Sequence, residues 1–162
     1  MTGALTWPTE GGSMRDQGGR MAISGEERAR LVRAVGVFEH VEPADIDALA
    51  AIATEVEFPA GRTIARQGEP GNGLFIIAAG SVDVVRDGER LATLGTGEWF
   101  GELAVLARAP RVASAIAAEP TTCLAIAAWD TEQLLLERPA LAVGMLRSLA
   151  IRMRDVTEDH RH

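Results

Sequence analysis

Gly97 and Gly101 bracket Trp99 and Phe100, and Glu102-Leu103-Ala104-Val105-Leu106-Ala107 follows, a run of good helix formers too short to stand alone. The spacing predicts a short helix beginning near Gly101. The first amide N–H groups of such a helix lack intrahelical partners and carry the positive end of the peptide dipoles, and a glycine there lets a ligand approach the backbone. That end suits a phosphate. Pro110 stops the helix and biases Ala109 toward an extended conformation, so the Arg111 guanidinium can return toward the same amides. Glu102, in the first turn, would repel a phosphate but can accept hydrogen bonds from hydroxyls such as those of a sugar. Anion donors beside a hydroxyl acceptor point to a nucleotide, and to binding rather than turnover.

Phe100-Gly101-Glu102-Leu103-Ala104-Val105-Leu106, four further residues, and then Arg111-Val112-Ala113-Ser114 together resemble the phosphate-binding cassette of the cyclic-nucleotide-binding domains. These domains occur in the catabolite activator protein, in regulatory subunits of the cyclic-AMP-dependent kinase and in cyclic-nucleotide-gated channels. The resemblance implies that Glu102 takes the ribose 2′-hydroxyl and Arg111 the cyclic phosphate. It also implies that Gly101, Leu103, Ala104, Val112 and Ala113 line the pocket, several through main chain only. Val112 departs from the family pattern, which has Ala, Ser or Thr after the arginine. The missing hydroxyl favours cyclic AMP over cyclic GMP as the ligand.

The elements that must position this stretch are also legible. Ser24-Gly25-Glu26-Glu27 reads as an N-cap with acids in the first turn, and Glu42-Pro43-Ala44-Asp45 starts a second helix with Ile46, Leu49, Ala50 and Ala53 on its core face. From Glu55 the pattern turns to short β segments: Glu55 to Phe58, Thr63 to Arg66, Gly73 to Ala79, Ser81 to Arg86, Arg90 to Leu94, Arg111 to Ala118 and Thr122 to Ala127. Asp87-Gly88 is a two-residue hairpin signal. A helix from Trp129 to about Glu137 follows, and another begins at Pro139 with Leu141, Met145, Leu149, Met153 and Val156 in an apolar stripe. The fold class expected is α+β, a β-roll of the jelly-roll or double-stranded β-helix kind flanked by N-terminal and C-terminal helices. The likeness to the family covers about Leu31 to Arg154.

Domain boundaries are expected as a disordered tail at 1–21, a cyclic-nucleotide-binding domain at 22–157 and a frayed end at 158–162; Met14 or Met21 could equally be the start of translation. In relatives the C-terminal helix dimerises or closes over the base. The resemblance thus implies a moving helix from Pro139 to about Arg154 with a base contact from Leu146, Leu149 or Met153, or a homodimer through its stripe; the stripe could equally pack on its own barrel. An unidentified protein partner would read the state of the site.

The net charge is −7 and every basic residue is an arginine, which disfavours direct nucleic-acid binding or attachment to anionic lipid. No recognition helix of a helix-turn-helix is expected after the β-roll. The 47% hydrophobic content suits one soluble domain, and no apolar run reaches the roughly 20 residues of a membrane span. A single cysteine, Cys123, precludes an internal disulfide, and the cytoplasm is the expected compartment. No catalytic residue, metal or cofactor is expected: a cupin-type enzyme needs clustered histidines, and none lies between His40 and His160. His40 reads as a surface residue, and His160 and His162 as too few ligands on a mobile end. The rival reading is a degenerate, ligand-free module whose pocket is narrowed by Val112.

Overall fold

In the computed structural model of the chain, which describes residues 23–102, 106–107 and 109–159, eight strands lie between two pairs of helices. Helices α1 (Gly25–Arg33) and α2 (Pro43–Ile52) precede the strands, with a 3-10 turn at Gly36–Phe38 between them. Ser24 caps α1, its hydroxyl accepting the Glu27 N–H at 3.1 Å. Arg28 reaches from α1 to the carbonyls of Ala50 and Ala53, at 3.2 and 2.7 Å, and so satisfies the end of α2. Buried Asp45 pairs with Arg138 at 2.7 Å, tying α2 to the junction of α3 (Ala128–Glu137) and α4 (Pro139–Asp159).

The strands are β1 (Thr54–Phe58), β2 (Thr63–Ala65), β3 (Gly73–Ala79), β4 (Val82–Arg86), β5 (Glu89–Leu94), β6 (Trp99–Phe100), β7 (Ser114–Ala117) and β8 (Thr121–Ala127). They form two antiparallel sheets, in the orders β1-β8-β3-β6 and β2-β7-β4-β5. This is the expected α+β β-roll. At the β4–β5 turn Asp87 and Gly88 both take positive φ, 53° and 82°, the backbone that a tight hairpin requires.

Strands β3 and β8 read as unbroken apolar runs because both of their faces are covered. Leu74, Ile76, Leu124 and Ile126 pack in one cluster with Val32, Phe38, Ile46, Leu49 and Met145 of the helical side. Phe75, Ile77, Cys123 and Ala125 alternate with them and join Val56, Phe58, Val82 and Ala115 in the second cluster. Burial pushes the Cys123 thiol up to about 12, so it stays protonated and is no nucleophile.

Three sequence expectations are corrected. Trp99 and Phe100, which lie outside every expected strand, form one: they pair with Ile76 and Phe75, and the Phe100 ring stacks on Phe75 at 5.1 Å. The strand expected from Arg111 to Ala118 spans only Ser114–Ala117, because the Arg111 main chain pairs with a loop rather than with a sheet neighbour. The stripe on α4 also diverges: Leu141 and Met145 are buried and Leu149 is half-buried, whereas Met153 and Val156 face outward. The edge of α4 that meets the 3-10 turn carries Gly144, Ser148 and Arg152, at successive four-residue steps.

That edge fits closely. A Cβ at Gly144 would lie 2.9 Å from the His40 carbonyl oxygen and 3.0 Å from Val41 Cα. The buried Ser148 hydroxyl accepts the His40 N–H at 2.9 Å and donates to the Gly144 carbonyl at 3.1 Å. Among the described residues no group of three or more His, Cys, Asp and Glu could hold a metal ion, and no helix is long and apolar enough to cross a membrane.

Candidate functional site

Arg111 is placed by its main chain. Its N–H donates to the Glu69 carbonyl and its own carbonyl accepts from Gly68 N–H, both at 2.8 Å, while Gly71 N–H donates to the Ala109 carbonyl at 3.0 Å. Residues 109–111 are thus zipped against the 68–71 loop, which suits the extended conformation that Pro110 imposes on Ala109. The guanidinium turns inward: Nη2 donates to Asn72 Oδ1 and to the Gly73 carbonyl oxygen, each at 3.3 Å. Both acceptors are neutral. Burial lowers the proton affinity of Arg111 and the charge of Glu69 opposes this, yet a guanidinium stays protonated throughout. The site therefore holds a half-buried cation whose hydrogen bonds go to neutral groups among the described residues.

Gly101 lies against it. Its φ is +82°, and a Cβ there would stand 2.5 Å from the Gly73 carbonyl oxygen and 3.0 Å from Arg111 Nη1. Only glycine lets the chain leave β6 at this point while keeping the cation and the main chain in contact. Beside them, Glu102 is mostly buried, its side chain 15% exposed. Its Oε1 accepts from Trp99 Nε1 at 3.3 Å and its Oε2 from Arg152 Nη1 at 2.6 Å.

Gly101, Glu102, Arg111, Val112 and Ala113 all border one cavity of about 470 Å³, which Trp99 and Phe100 also line. Leu103 and Ala104, with Val105 the middle of the expected short helix, lie outside the described residues. Val112 lines the cavity and is 75% exposed. None of the described lining residues comes from α4, and Leu146 and Met153 are exposed.

Residues 55–138, just over half of the chain, match the family described as cyclic nucleotide-binding domain. The chain belongs to this family. Among its relatives is a CRP-like cAMP-activated global transcriptional regulator from Mycobacterium tuberculosis, 36% identical over 129 residues that cover 76% of this chain and 57% of the relative. The cyclic AMP receptor protein of Thermus thermophilus is 33% identical over 124 residues, covering 74% of this chain and 57% of that protein. The chain therefore spans a little over half the length of these relatives. The N-terminal domain of a transcriptional regulator from Streptomyces coelicolor superposes with a TM-score of 0.73 at 30% identity, over 79% of this chain and 95% of that one.

Several residues of the site had escaped the sequence reading. Glu69 and Asn72, just before the strand expected from Gly73, support Arg111 together with the Gly73 carbonyl, and Trp99 carries no sequence signal of its contact with Glu102. Arg152 had one available signal: it continues the helical spacing of Met145 and Leu149 where an apolar residue would be expected.

Proposed function

We propose that this chain binds a cyclic nucleotide without turning it over and passes its state to another protein. Arg111 takes the cyclic phosphate with amides of the segment after Gly101, including those of Leu103 and Ala104. Glu102 takes the ribose 2′-hydroxyl, and Val112 and Ala113 border the phosphate. The observation that carries this reading is the half-buried Arg111 cation, hydrogen-bonded to neutral groups and facing the main chain that Gly101 opens. A phosphate adds a charge-assisted hydrogen-bond partner to a guanidinium whose hydrogen bonds now go to neutral groups.

Cyclic AMP is the proposed ligand in preference to cyclic GMP. Supporting it are the absence of a hydroxyl at Val112 and the names of two relatives, which associate them with cyclic AMP. Signalling is assigned to α4, where Val143, Leu146, Ala150 and Met153 form an exposed seam at alternating three- and four-residue steps. Such a seam suits a second copy of the chain or a helical partner. One observation favours the ligand-free alternative: both Glu102 oxygens already have donors within the chain.

A ribose role for Glu102 predicts that 2′-deoxy cyclic AMP binds about tenfold or more weakly than cyclic AMP, since the mostly buried carboxylate would be offered no hydroxyl. Competition calorimetry measures the ratio. Equal affinities would remove Glu102 from the ribose.

A further inference from the structure

Arg152 is the point at which α4 touches the ligand site. Its guanidinium passes over Gly36, where an added Cβ would fall 1.8 Å from Nη1 and 3.1 Å from Glu102 Oε2. Gly36 thus leaves the opening through which helix and carboxylate meet. Earlier along the same edge, Gly144 and Ser148 fasten α4 to the 36–41 segment without touching the site. The 2.6 Å ion pair is therefore separable from the contacts that hold the helix on the fold.

We propose that Arg152 is a latch, competing with the ribose 2′-hydroxyl for Glu102 and so setting how strongly the site discriminates that hydroxyl. This rests on the reading of Glu102 as the ribose acceptor. With Oε1 facing Trp99 and Oε2 facing Arg152, the carboxylate must surrender one donor to turn an oxygen into the cavity. Arg152 is the donor to yield, because its side chain is 45% exposed and can exchange the carboxylate for water. A nucleotide bearing the hydroxyl then frees the end of α4 beyond Ser148. One lacking it leaves the latch closed. Binding and helix release become two sides of one differential affinity, as coupling between sites demands.

Calorimetry with cyclic AMP and 2′-deoxy cyclic AMP, on the parent, Arg152→Ala and Gly36→Ala, tests this. Gly36→Ala breaks the latch independently: it keeps the arginine but displaces its flexible end, and Gly36 has no positive φ that would strain an alanine. Both variants are expected to bind cyclic AMP about three- to fivefold more tightly than the parent, and 2′-deoxy cyclic AMP with unchanged affinity. Without nucleotide, amides at 149–159 in either variant should exchange as fast as those of the nucleotide-bound parent. If the parent discriminates the 2′-hydroxyl but neither variant gains affinity for cyclic AMP, the latch is overturned and the ribose reading stands. A parent that binds both nucleotides equally, or neither, overturns the ribose reading and the latch with it.

Discussion

Arg111→Ala is expected to bind cyclic AMP about ten- to a hundredfold more weakly than the parent, since a charge-assisted contact contributes about 1.5–3 kcal/mol. The fold should be nearly unaffected. The guanidinium is desolvated by burial and its hydrogen bonds to Asn72 and Gly73 are long, so its removal sheds a desolvation cost as well as two weak contacts. The 68–71 loop keeps its place because its bonds to residue 111 are made by main chain. Calorimetry gives the affinity and urea denaturation the stability. A folded Arg111→Ala protein that binds like the parent would show that the phosphate lies elsewhere.

Gly101→Ala is expected to damage stability and affinity together. At φ +82° an alanine is strained by about 1–3 kcal/mol from the backbone alone. Its Cβ would also meet the Gly73 carbonyl oxygen at 2.5 Å, a backbone atom at the start of β3 that cannot swing aside. Relief must come from residue 101 itself or from Arg111, 3.0 Å away, and either movement spoils the anion site. Gly97→Ala separates the two effects. Gly97 has a similar φ of +89° but nothing within 4 Å of the added Cβ, so it should lose stability while keeping its affinity. Equal loss of affinity in the two variants would show that strain, rather than the close approach at Gly101, decides binding.

The sequence disclosed most where local chemistry and tertiary structure agree. Ser24, Pro43 and Asp87-Gly88 mark the ends and turns they are chemically suited to, and the buried runs of β3 and β8 are apolar on both faces because both are covered. The pairing of Gly101 with Arg111 is legible because glycine frees the backbone to turn at one end of the segment and proline restricts it at the other. What stayed hidden depends on contacts across long sequence separation. Strand β6 is two residues long and exists because the edge of β3 is open to it. Asn72 and Gly73 reach Arg111 across 39 and 38 residues, and Arg152 reaches Glu102 across 50. A helical arginine on an apolar spacing suggests a buried partner, but only the fold names Glu102.

Whether Gly101, Glu102 and Arg111 form a working cyclic-nucleotide pocket is decided by titrating the folded chain with cyclic AMP in a calorimeter. Saturable binding at one site per chain is expected, tighter for cyclic AMP than for cyclic GMP. Absence of binding by either nucleotide up to millimolar concentration, from protein shown to be folded, would contradict it and leave a ligand-free module in its place.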